Sequence, residues 1–140
     1  MYHCHLHFYL IGPKSNIFNL IQAMPPLDNF SHNFSYSELP QKDLTTQADV
    51  ILVNLQGLPA RPTLEQILTD KKPQTQLILM VEKEQLPKLT DCLPQINDIW
   101  TLPLTDVETN FHFTRWQQNC RQEKEAWQTS QFLEATINSI

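Results

Sequence analysis

Two short apolar runs fix most of what this chain can become. Val50-Ile51-Leu52-Val53 and Leu77-Ile78-Leu79-Met80-Val81 contain no polar residue at alternate positions. A strand with one wet face alternates apolar and polar side chains. A strand that is apolar throughout is covered on both faces, as in a parallel sheet with crossover helices on either side. The segments around these runs supply such helices. Residues 5–11 form another near-continuous apolar and aromatic run, stopped by Gly12-Pro13. Ser15 is placed to cap a helix whose apolar positions Ile17, Leu20, Ile21 and Met24 recur at helical spacing, and Pro25-Pro26 ends it.

Residues 29–37 set Phe30, His32, Phe34 and Tyr36 against Asn29, Ser31, Asn33, Ser35 and Ser37. This period of two predicts a half-open edge strand. Residues 39–47 leave room for about two helical turns. Thr63 is read as the cap of a helix reaching Asp70 after a loop over 57–62. A short helix is expected over 86–93 and a fifth strand over 96–102. Asp106 opens a last helix that meets no Pro or Gly before Ile140. Strands alternating with helices imply right-handed crossovers, here giving an α/β three-layer sandwich of the flavodoxin-like class. The expected sheet is five-stranded and parallel, in order 2-1-3-4-5, with an extended C-terminal helix. Ligands in such sheets sit beyond the carboxyl ends of the strands.

With 140 residues and 41% hydrophobic content, the chain fits one ordinary globular core, read as a domain over 1–120 and a linker helix over 121–140. A net charge of −5 without a basic stripe argues against nucleic acid. No apolar run is long enough to span a bilayer, and the histidine-rich start lacks a signal-peptide pattern. Cys4, Cys92 and Cys120 are odd in number and widely spread. Free thiols and a cytoplasmic setting follow as expectations.

Three stretches resemble the receiver domain of response regulators, over about residues 5–120, which implies that the flavodoxin-like sandwich is CheY-like. Asp49-Val50-Ile51-Leu52-Val53-Asn54, with Pro59 following, is similar to the strand that delivers the family's phosphoacceptor aspartate. The run 77–81 resembles the strand that ends in the family's hydroxyl residue. Residues 97–104, ending Leu102-Pro103-Leu104, resemble the fifth strand with its Lys-Pro pair. The resemblance implies a phosphoacceptor pocket at Gly12, Pro13, Asn54, Val81, Leu102 and Pro103, with a cis peptide before Pro103.

Every chemical group of that pocket is replaced. Gly12 and Pro13 stand where acidic residues would hold Mg²⁺, a hard cation that wants carboxylate oxygens. Asn54 replaces the nucleophile, Val81 the hydroxyl and Leu102 the lysine. Phosphoryl transfer rests on positioning and charge stabilisation, so losing all of these together points to a pseudo-receiver. Asp49, five residues before Asn54, lies at the wrong end of the sheet to substitute. No catalytic residue, cofactor or metal is expected.

The tail 131–140 resembles the helical lead-in to PAS domains of bacterial sensor kinases and GGDEF diguanylate cyclases. It implies a multidomain signalling parent with a covalently linked output domain. Tyr9 and Trp100, on strands, are read as core, and Phe113, Trp116 and Cys120 as a helix stripe docking on the sheet. By the receiver resemblance, segments 86–95, 99–104 and 113–127 would form a dimer face, with Trp100, Leu104, Trp116 and Trp127 as its anchors and a homodimer as the expected assembly.

Other patterns are weaker. His3, Cys4, His5 and His7 have the ligand types of a zinc site, yet no second cluster completes a tetrahedral set. Gly12-Pro13-Lys14-Ser15-Asn16 enters a helix N-terminus without a phosphate-loop pattern. The alternative function is a small-ligand sensor using a cleft of Gly12, Lys14, Asn54, Gln56, Val81, Glu82 and Leu102. An enzyme of flavodoxin-like architecture would need a paired acid–base or nucleophile set, and none is evident.

Overall fold

A computed structural model describes residues 4–26 and 30–119. Five parallel strands lie in the order β2-β1-β3-β4-β5: β1 (Cys4–Ile11), β2 (Phe30–Ser37), β3 (Val50–Asn54), β4 (Gln76–Glu82) and β5 (Asp98–Leu102). Helices α1 (Asn16–Ala23), α2 (Lys42–Gln47) and α3 (Ala60–Asp70), a 3₁₀ segment (Lys83–Gln95) and α4 (106–119) complete the sandwich. The expected fold class and strand order are thus observed. The tail 121–140, including Trp127 and the stretch likened to a PAS lead-in, lies outside the described residues, as do His3 and Cys120.

The sheet divides two cores by side-chain parity. Leu6, Phe8, Leu10, Leu52, Ile78, Met80 and Trp100 face α1 and α4, packing on Phe18, Ile21, Phe113 and Trp116. Tyr9, Ile11, Ile51, Val53, Leu77, Leu79 and Val81 face the other layer, against Leu64, Ile67, Leu89 and Cys92. Every residue of β3 is buried, as its lack of alternation predicts.

Local chemistry sets the boundaries. Ser15 Oγ accepts the Phe18 N–H at 3.4 Å and caps α1, but the residues α1 buries are Phe18 and Ile21, while Ile17 and Met24 are only partly covered. Helix α3 begins at Ala60, three residues before the expected cap, and Thr63 is buried in its second turn. Pro62 sits in the first turn, where an N–H has no intrahelical acceptor anyway, so the proline costs the helix nothing there. The segment after β4 is 3₁₀ rather than α, with Pro87 and Pro94 removing two donors. Thr105 caps α4 reciprocally with Glu108: the Glu108 N–H donates to Thr105 Oγ1 at 3.1 Å, and the Thr105 N–H to Glu108 Oε1 at 3.2 Å.

Candidate functional site: the carboxyl ends of the strands

At the end of β1 the backbone turns through Gly12 at φ +125°, a conformation L side chains rarely adopt. Both main-chain polar groups of Gly12 are held by β2. Its N–H donates to the Ser37 carbonyl at 3.1 Å, and its own carbonyl accepts the Tyr36 hydroxyl at 2.6 Å. This tether brings the turn onto the end of β3. A Cβ on Gly12 would lie 2.5 Å from the Asn54 carbonyl oxygen and 3.1 Å from its Cβ.

Asn54 is therefore sealed, at 2% exposure. Its Oδ1 accepts the Gln56 N–H at 3.0 Å, turning the chain out of the strand. The loop continues through a Leu58 N–H donation to the Leu55 carbonyl at 3.0 Å and through Gly57 at φ +76°.

Val81 is not part of this site. Asn54 pairs with Met80, and both belong to the face that looks toward α1 and α4; Val81 points through the sheet into the opposite core. The residue on the site's face is Glu82, one position on, which pairs with Leu102 across β4 and β5. Glu82 also caps the 3₁₀ segment. Its carboxylate accepts the Gln85 N–H, while its own N–H donates to Gln85 Oε1 at 3.0 Å. Gln85 Nε2 in turn donates to the Leu55 carbonyl at 3.0 Å, tying the ends of β3 and β4 together. The Leu102–Pro103 peptide is cis, as the resemblance implies.

The residues assigned to one ligand cleft are divided in the structure. Gln56, Glu82 and Leu102 line a cavity of about 510 Å³ with Ile17, Lys83, Glu84, Pro103 and Leu104. Pro13 and Lys14 line a second depression of about 390 Å³ with Glu38, Leu39, Gly57 and Leu58, and Gln56 borders both. Gly12 and Asn54 lie buried and contribute to neither.

The aromatic anchors assigned to an interaction face are mostly interior. Trp100 is fully enclosed, its indole N–H donates to Asp98 Oδ2 at 3.0 Å, and its ring stacks on His112 at 5.3 Å. Trp116 is 6% exposed and donates to Gln76 Oε1 at 2.7 Å. Both complete the core between the sheet and α4, and Trp116 keeps only a small exposed edge. Leu104 is half-buried. The apolar groups α4 does present are Val107 and Phe111, one turn apart, which the sequence reading passed over. Their i, i+4 spacing was the available signal.

Asp49 is exposed at the amino end of the sheet, where Oδ2 accepts the His7 N–H at 2.9 Å. His5 bonds Ser31 and Asn33, and His7 bonds Ser35, so these histidines form a cross-strand polar ladder. Among the described residues no group of three His, Cys, Asp or Glu side chains is arranged to hold a metal, and no helix is long and apolar enough to cross a membrane.

No family model and no curated protein matches the sequence. Solved structures do match the fold. The receiver domain of AraT, a response regulator from Geobacillus stearothermophilus, superposes with a TM-score of 0.62 at 15% identity, covering 85% of this chain and 98% of that one. The receiver domain of ChxR from Chlamydia trachomatis gives 0.51 at 12% identity, covering 81% and 98%. A chain described as the CpaE2 pilus assembly protein of Sinorhizobium meliloti gives 0.54 at 12% identity, covering 73% and 92%. At these identities the likeness is one of fold: the chain has the CheY-like receiver architecture.

Proposed function

We propose that this protein is a receiver-like regulatory module that signals without accepting a phosphoryl group. The observation that carries the reading is the contact between Gly12 and Asn54. The backbone of the β1 turn fills the space beside the would-be acceptor, and the acceptor is an enclosed amide. Gly12 and Pro13 stand where the Mg²⁺ ligands would be, the carboxylate of Glu82 on the site's face is engaged in capping the 3₁₀ segment, and Leu102 brings an aliphatic chain where charge balance would be needed. Regulation then passes through surfaces. The α4 face, with Val107 and Phe111 exposed beside half-buried Leu104, suits a protein partner or a second copy. In a multidomain parent, a sensor kinase or diguanylate cyclase, the last helix would carry the signal to a covalently linked output domain. No enzymatic step is assigned to the module, and its setting is the cytoplasm.

The test is incubation with Mg²⁺ and acetyl phosphate, followed by intact-protein mass spectrometry, with beryllofluoride binding followed by ¹⁹F NMR. No covalent adduct and no bound beryllofluoride are expected. A stoichiometric adduct on the chain would overturn the reading.

The cavity of about 510 Å³ at the ends of β4 and β5 favours a second reading, a small-ligand sensor. Its lining combines apolar Ile17, Leu102 and Leu104 with polar Gln56, Glu82 and Lys83, a mixture suited to an organic ligand. A thermal-shift screen with the chain, repeated on Leu102→Glu, distinguishes this reading from surface signalling.

A further inference from the structure

The two edges of the sheet are built differently. Edge strand β5 has five residues, opens on Asp98 and is followed at once by Pro103, devices that blunt an edge against further pairing. Edge strand β2 has eight residues in unbroken register with β1, from Cys4↔Phe30 to Ile11↔Ser37, with no bulge. Its sequence, Phe30-Ser31-His32-Asn33-Phe34-Ser35-Tyr36-Ser37, contains no Asp, Glu, Lys, Arg, Pro or Gly. Among the described residues no strand lies on its outer side.

The direction of its main-chain groups follows from one bond. The Ser37 carbonyl turns inward to the Gly12 N–H. In a parallel ladder alternate residues address opposite neighbours, so Ser31, Asn33, Ser35 and Ser37 face β1. The N–H and C=O groups of Phe30, His32, Phe34 and Tyr36 therefore point outward.

The geometry points to a second copy of this chain as the occupant of that edge, with β2 pairing antiparallel to β2 across a two-fold axis into one continuous ten-stranded sheet. Centring the axis on Asn33 sets Phe30 opposite Tyr36 and His32 opposite Phe34. Every outward main-chain group then meets a partner, and aromatic side chains meet aromatics on one face of the joined sheet. The other face carries the polar set, with Asn33 beside its own symmetry mate. A strand without charge meets no repulsion from itself, as an isologous contact requires. Burial keeps His32 neutral across the physiological range, its pKa lowered to about 4. This surface is separate from the α4 face and does not depend on how that face is used.

Asn33 supplies the test, because its side chain is exposed and only the symmetric pairing brings it against itself. Asn33→Lys and Asn33→Asp are each made in the full chain and sedimented over a concentration series, alone and as an equimolar mixture, with Phe111→Glu as the probe of the α4 face. Each Asn33 variant alone is expected to dimerise roughly fivefold or more weakly than the parent, from like charges directly opposed. The mixture is expected to regain the parent affinity or exceed it, which loss of folding cannot mimic, and Phe111→Glu is expected to leave β2 pairing intact. A monomeric parent, Asn33 variants that associate like the parent, or a mixture that stays dissociated overturns the pairing. Dissociation by Phe111→Glu with unaffected Asn33 variants assigns self-association to α4 instead.

Discussion

A Cβ atom placed on Gly12 falls 2.5 Å from the carbonyl oxygen of Asn54, closer than unbonded heavy atoms tolerate. An acid at Gly12 cannot be restored by changing a letter, because the Asn54 main chain occupies the space its Cβ would need. Gly12→Asp should destabilise the fold by on the order of 3 kcal/mol, combining a positive φ with an unavoidable clash. Urea denaturation checks this. Gly12→Ala should lose most of the same stability, which separates sterics from charge.

Asn54→Asp fails for a different reason. The carboxylate would still accept the Gln56 N–H, but it would be enclosed, as the Asn54 side chain is. Desolvation raises such a carboxyl above its unfolded value near 4. The variant is thus closest to the parent in stability below that value and loses ground as pH rises toward the raised folded pKa. A deficit of roughly 1–3 kcal/mol is expected at pH 7 and a smaller one at pH 4.5. Paired denaturation curves at the two pH values measure it, and acetyl phosphate is expected to leave the variant unmodified.

Gln85 joins the ends of β3 and β4 through the Glu82 N–H and the Leu55 carbonyl, each at 3.0 Å. Gln85→Ala should cost about 1 kcal/mol, since the Glu82 N–H loses its side-chain partner while the Leu55 carbonyl keeps the Leu58 N–H. Hydrogen exchange at the Glu82 amide should accelerate, while amides in the middle of β3 stay protected.

The sheet was legible because burial on both faces writes itself into β3 and β4 as runs without alternation, and Gly12, Ser15 and Pro26 punctuate the crossovers. The site was legible only to within one residue. The apolar run of β4 ends at Val81, but the ladder continues to Glu82, and a one-residue step in a strand changes the face. Nothing in the run itself gives its register against Asn54. The start of α3 was hidden because Pro62 reads as a breaker, whereas in a first turn it is tolerated. Trp100 and Trp116 are interior, as a strand position and a helix stripe facing the sheet predict, with Asp98 and Gln76 satisfying their indole N–H groups; only the receiver resemblance assigned them to an interaction face. The Thr105-x-x-Glu108 box was readable and sets the start of α4.

His32 ties stability to acid. Neither ring nitrogen has a hydrogen-bond partner among the described residues, and Phe8 and Phe113 surround the ring at 4.7 and 6.2 Å. Burial first, and the nearby His5 second, lower its pKa from 6.5 to about 4. Between those values the unfolded chain takes up a proton that the folded chain refuses. The stabilising effect is therefore complete above pH 6.5 and is lost as pH falls toward 4, at no more than about 1.4 kcal/mol per pH unit. With partial exposure of the ring, the total should be on the order of 2 kcal/mol. His32→Phe removes the titrating group and fills the same aromatic cage. Relative to the parent it should be at least as stable at pH 7 and increasingly more stable down to pH 4.5, read from melting temperatures across that range. Parallel curves for the two proteins would mean that the ring is solvated and titrates normally.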